Sequence, residues 1–253
     1  MDRPVNGGYR ARKRAISSTF TFRAIYQIDG QVRPSPYPIR LLRPHQIGKQ
    51  TGPGRVGRHD DRLAPGPLRH DPVYWALDLE TGGLDPRYHD VVSVGMVPIR
   101  GGRIRVGESF YSLVKPLRAM TEQSITIHHL DPADLAGAPA LEDVLPSIVA
   151  RLGEGVLLVH CAMVDVPFLR RACARAGVAW PRPLVVDTMR LLARLAYRAD
   201  SEPRPPVALA AARAHFGLPP HRSHHALSDA MATAELFLML VHRLKARRLH
   251  GLL

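Results

Sequence analysis

The stretch VYWALDLETGGLDP, Val73 to Pro86, sets an apolar run in front of two acids spaced two apart, Asp78 and Glu80, and follows them with a Thr-Gly-Gly turn. Val73–Leu79 has the character of a buried strand. Residues i and i+2 of a strand project from the same face. Two carboxylates on one face at the end of such a strand are costly to bury unless a cation lies between them. Hard divalent ions such as Mg²⁺ take oxygen ligands of this kind. An edge strand with two solvated acids reads equally well from these residues alone, so the choice rests on the rest of the chain.

Downstream, Asp90–Pro98 and Arg103–Val114 are β-type runs around the Gly101-Gly102 turn and read as a hairpin. With Val73–Leu79 they make an antiparallel sheet. Thr121-Glu122 opens a short helix, and Ala140–Leu152 has apolar residues at helical spacing, with a kink expected at Pro146. Val156–Val159 is a buried strand running straight into His160-Cys161-Ala162-Met163-Val164-Asp165. Helices are expected over Pro167–Ala176, Met189–Ala196 and Val207–Phe216, with a short strand at Leu184–Val186 between the first two. A long final helix runs from His225 to about Arg247. A hairpin sheet followed by alternating helices and strands is an α/β domain with a mixed sheet.

The net charge of +13 is unevenly spread. Residues 1–70 hold 14 Lys and Arg against 4 acids and are dense in Pro and Gly. Such a segment buries too little apolar surface to offset its chain entropy. The expected division is therefore a mostly disordered basic extension over 1–70 and a folded domain over 71–253. STFTFRAIYQI and IRLL are short pieces of the extension able to form strands. The extension reads either as a phosphate-holding arm or as a solvated linker. Two cysteines, Cys161 and Cys173, exclude a disulfide framework and a Cys-rich zinc module, and Cys173 reads as core. No apolar run is long enough to span a membrane and none near Met1 resembles a signal core, so a cytoplasmic location is expected.

Three acidic spots fall where elements start or stop. They are Asp78 with Glu80, Asp165 just past the VLLV strand, and Asp229 early in the final helix with His224 five residues before it. The patterns D-x-E-T-x-G, H-x4-D after a strand, and H-x4-D opening a C-terminal helix together resemble the DEDDh exonucleases. That family includes the proofreading epsilon subunit of bacterial DNA polymerase III, ribonuclease T and oligoribonuclease. The resemblance covers about residues 73–245 and includes Val186-Asp187-Thr188, similar to the family's usual strand end.

The resemblance implies a ribonuclease-H-like mixed sheet flanked by helices. It implies that Asp78, Glu80, Asp165 and Asp229 hold two divalent ions, Mg²⁺ or Mn²⁺, that His224 is the general base, and that Thr81 and Gly82 lie against the terminal nucleotide. The implied activity is 3′→5′ exonucleolytic release of nucleoside 5′-monophosphates, more naturally from DNA. The implied partners are a single-stranded 3′ end and a DNA polymerase subunit, with no membrane. An exoribonuclease and a polymerase-associated nucleic-acid-binding module are the alternatives. Many relatives carry His-Asn where this chain has His160-Cys161, and a thiol does not reproduce an amide's paired donor and acceptor. His160 reads as structural, and His128, His129, His215, His221 and His225 as surface or packing residues. The loop Pro219–Ser223 is expected to let His224 move.

Overall fold

The structure, a computed structural model, describes residues 21–28, 31–40, 72–198, 204–246 and 252. Its contacts divide the chain into Met1–Asp60 and Asp61–Leu253. In the first unit β1 (Thr21–Ile28) pairs antiparallel with β2 (Gln31–Arg40). β2 carries Pro34, Pro36 and Pro38, and the pairing register shifts opposite them, between Arg23 and Ile25 of β1. The rest of the basic extension, and the expected boundary after residue 70, lie outside the described residues.

The second unit is built on a six-stranded mixed sheet. Its strands are β3 (Val73–Thr81), β4 (Val91–Arg100), β5 (Arg103–Ile104), β6 (Phe110–Leu113), β7 (Gly155–Val159) and β8 (Leu184–Asp187). The order is β5-β4-β3-β7-β8, with β6 also paired to β4. β3 is antiparallel to β4 but parallel to β7, and β7 is parallel to β8. The expected single strand over Arg103–Val114 is instead divided into β5 and β6 by a 3₁₀ turn at Val106–Glu108. Pro98 of β4 has no N–H for the ladder, and its carbonyl takes the Arg105 amide at 2.9 Å, in register with the β4–β5 pairing.

The helices are α1 (Glu122–His128), α2 (Pro132–Leu135), α3 (Leu141–Gly153), α4 (Ala162–Arg175), α5 (Thr188–Arg198), α6 (Leu209–His215) and α7 (Ala226–Arg243). Thr121 caps α1 by accepting from the Ser124 amide, as its position implied. α4 begins five residues earlier than expected. Pro167 had suggested a first helical position, yet it lies inside the helix, and Asp165 is in the first turn. α7 stops at Arg243, short of the expected Arg247.

Alternation along β3 sorts the core into two layers. Tyr74 and Ala76 join a cluster with Val97, Leu158 and the α7 residues Ala230, Ala234, Phe237 and Leu240. Trp75, Leu77 and Leu79 face the other way, into a cluster with Leu145 and Ile148 of α3 and Leu169 and Cys173 of α4. Asp78 and Glu80 continue the even-numbered row, so they emerge beneath α7. Among the described residues no helix is long and apolar enough to cross a membrane.

Candidate active site

Asp78 and Glu80 stand on the α7 face at the carboxyl end of β3. Directly across the ladder, Asp78 faces Gly95 and Glu80 faces Ser93, both on β4. Tyr111 of β6 follows in register after Gly95. The first turn of α7 lies over this row. His225 caps that helix, its Nδ1 accepting from the Ser228 amide at 3.4 Å, and its ring stacks on Tyr111 at 4.9 Å between centroids. One turn in, Asp229 points back at β3. Ligand-capable oxygens of Asp78, Glu80 and Asp229 all lie within 4.8 Å of one another.

Asp229 is held by groups just before its helix. Its Oδ2 accepts from the backbone amides of His224 at 2.6 Å and His225 at 3.2 Å. His221 Nε2 lies 2.8 Å from its Oδ1. The sequence offered His221 as a surface or packing residue. The structure instead brings it, nearly buried, against a site carboxylate. It sits in the Pro/His/Arg loop before α7, where no regular element relates it to Asp229, so no local signal marks it.

Asp165 reaches the site from the opposite layer, in the first turn of α4 and buried there. The chain enters that helix through Cys161, whose φ of 91° is left-handed. Asn adopts this region more readily than Cys, which gives the Cys161 departure a backbone cost as well as a lost amide. Asp187, at the end of β8, compensates: its carboxylate accepts from the amides of Cys161 at 3.2 Å, Ala162 at 2.9 Å and Met189 at 2.9 Å. His160 is structural, as expected. Its ring nitrogens lie 2.7 Å from Thr188 Oγ1 and 2.8 Å from the Val207 carbonyl, tying β7 to α5 and to the approach to α6.

The electrostatics are one-sided. Burial raises the Asp78 carboxyl well above its ordinary range, and the charges of Asp165, Glu80 and Asp229 push it further. Burial, with Asp229 and Asp165, pushes Glu80 up to about 8. Asp165 is pushed up to about 8 by burial and then by Asp187, against hydrogen bonding from backbone amides that lowers it. Every charge acting on Asp78 and Glu80 is negative. An all-oxygen donor set that must hold protons at neutral pH without a cation fits a hard divalent ion.

The general-base candidate His224 has a positive φ of 61°, and its side chain is exposed at the site's mouth. The loop before it is anchored on one side. Arg213, 2% exposed, donates to the carbonyls of Pro219 at 2.9 Å and Ala232 at 2.9 Å and pairs with Glu235 at 2.7 Å. The turn carrying Thr81 and Gly82 is likewise tied down. Thr81 Oγ1 donates to the Gly83 carbonyl at 2.8 Å, the Gly82 amide to Asp90 O at 2.9 Å, and the Thr121 amide to Gly82 O at 3.0 Å.

The structure thus brings Asp78, Glu80 and Asp229 into one cluster. It sets Asp165 close enough to act on both β3 acids, and it places His224 beside them. Sequence reasoning missed His221, Arg213 and Asp90.

The family model described as Exonuclease (RNase_T) matches residues 75–237. Over 180 residues, 69% of this chain, it is 33% identical to a PolC-type DNA polymerase III of Thermotoga maritima, of which the match spans 12%. Over 223 residues, 87% of this chain, it is 34% identical to a DNA polymerase III subunit epsilon-like protein of Rhodobacter capsulatus, of which it spans 30%. The chain therefore covers well under half the length of these relatives. The fold is similar to the nuclease domain of 3′hExo, a DEDDh family member solved with rAMP. That likeness has a TM-score of 0.58 and 15% identity and covers 68% of this chain and 93% of that one.

Proposed function

From the premise that the chain belongs to the Exonuclease family, we propose that it is a hydrolytic nuclease of the DEDDh kind that removes nucleoside 5′-monophosphates stepwise from the 3′ end of single-stranded DNA. The observation that carries this reading is the convergence of Asp78, Glu80 and Asp229 within 4.8 Å at the end of a buried strand. With Asp165, these are the residues that would hold two divalent ions, Mg²⁺ or Mn²⁺. When bound, such ions supply Lewis acidity to both the attacking and the departing oxygens of an in-line displacement. His224 takes the proton of the attacking water on a ring nitrogen, the role of a general base. Thr81 and Gly82 present the tied-down turn to the terminal nucleotide.

DNA as substrate is supported by the relatives, which are named for DNA polymerase III. Those names also support a polymerase subunit as a partner. A second reading, an exoribonuclease, is favoured by the rAMP bound to the DEDDh structure of similar fold. A polymerase-associated binding module would bind through its basic extension rather than cleave. End-labelled single-stranded DNA and RNA of matched sequence, incubated with the purified protein in Mg²⁺, Mn²⁺ or EDTA, separate the three. Stepwise shortening of DNA from the 3′ end that EDTA stops is the expected result. Faster shortening of RNA selects the ribonuclease. Binding without cleavage in either metal overturns the nuclease assignment of these residues.

A further inference from the structure

Gly95 lies in the middle of β4, directly across from Asp78, on the face that α7 covers. Its φ is not among the positive ones, so the backbone there is one that any residue adopts. What the position demands is room. A Cβ at residue 95 would lie 2.2 Å from Leu227 N, 2.3 Å from Ala226 C and 2.4 Å from Ala226 O. These are backbone atoms of the first turn of α7, so no side-chain rotation relieves the overlap. The rest of the helix seats on the sheet through small residues at every fourth position, Ala226, Ala230 and Ala234, all fully buried. Gly95 completes that close approach at the end that carries the chemistry.

We propose that Gly95 is a positioning residue of the ion site: its bare backbone lets the first turn of α7 rest on β4 and thereby sets Asp229 beside Asp78 and Glu80. Asp229 moves with that turn, because its Oδ2 is bound to the amides of His224 and His225. Restoring ordinary van der Waals separation against an added methyl needs a shift of roughly 1 Å. Carboxylates that share a cation tolerate displacements of about half that. The inference rests on the proposed ion site.

The test compares Gly95→Ala with Gly155→Ala, both in the full chain. A Cβ at Gly155 would likewise overlap backbone, lying 2.3 Å from Val73 O, but at the opposite end of β3 from the acids. Mn²⁺ binding is titrated by electron paramagnetic resonance, and the thermal midpoint of each protein is recorded. Gly95→Ala is expected to weaken Mn²⁺ binding at least about tenfold while Gly155→Ala stays within about twofold of wild type. Unchanged affinity in Gly95→Ala overturns the inference. So does an equal loss in both variants, which would make the effect one of general stability. Failure of Gly95→Ala to fold where Gly155→Ala folds also overturns it, by making the glycine a requirement of the fold. Wild-type protein that takes up no Mn²⁺ overturns the ion site itself, an outcome distinct from wild-type binding with Gly95→Ala unaffected.

Discussion

Two sets of buried carboxylates in this molecule have opposite surroundings. Asp90 accepts from the amides of Leu117 at 3.1 Å and Arg118 at 3.0 Å and from the Arg175 guanidinium at 2.9 Å. Asp187 accepts the backbone amides of Cys161 and Ala162 at the start of α4 and of Met189 in the first turn of α5. In both, protein donors supply what water would have given, and the acid is a fastener. Glu80 and Asp165 are buried as deeply and Asp78 is half-buried, all among other acids, and desolvation with like charge drives their carboxyls up. Burial of an acid is therefore no mark of function by itself. The mark is burial left uncompensated by the protein, which reserves the place for a cation from outside.

The sharpest way to break this contrast is to treat one acid from each set alike. Asp78→Asn should cut cleavage by about a thousandfold or more, since a ligand for the reaction's counter-charge is lost. It should also raise the melting temperature in EDTA at pH 8, because Asn is neutral without having to take up a proton among the other acids. A metal-free melting temperature that falls instead would place Asp78 among the fasteners. His224→Ala divides the site further. It removes the ring but keeps the amide that holds Asp229, so turnover should drop by roughly a hundredfold with Mn²⁺ affinity preserved, as single-turnover kinetics and metal titration would show. Asp90→Ala should do the reverse, costing about 2–3 kcal/mol of stability in urea unfolding with Mn²⁺ affinity near wild type.

The smallest effect is in the pH dependence. Glu80 rises from its ordinary 4.5 to about 8 on folding, so the folded protein holds its proton over a range in which the unfolded chain has released it. Stability from this source is complete below about pH 4.5 and is lost as pH climbs through about 8. Asp165 acts in the same sense, from 3.8 to about 8. Melting curves in EDTA should fall across that window, and saturating Mg²⁺ should flatten the fall. A metal-independent slope would mean that the acids are compensated after all.

The candidate acids and His224 stood out through short patterns taken together, two acids at strand spacing and a His and an Asp five apart at an element's end, and the fold brings Asp78, Glu80 and Asp229 into one cluster. The α7 face of β3 was legible for the same reason, since alternation along Val73–Thr81 is local. What escaped notice depends on partners far away in the chain. Asp90 meets Arg175 across 85 residues and His160 meets the Val207 carbonyl across 47. Arg213 drew no reading from its sequence, since the carbonyls of Pro219 and Ala232 that hold it come together only in the fold. Gly95 sat unremarked in the apolar run DVVSVGMVP, because nothing there tells that a helix more than 130 residues later must touch its backbone.

That distance also sets a schedule. β3 and β4 are neighbours in sequence and can pair as soon as both have left the ribosome, whereas Asp229 is about 150 residues behind Asp78. At ordinary elongation speeds the interval is on the order of ten seconds. Through that interval the emerging chain has its central hairpin and its first two acids but no α7 to close over them. On the proposed reading, hydrolysis waits for α7 to dock and bring Asp229 to the two acids of β3, and a chain that has made only β3 and β4 stays chemically silent.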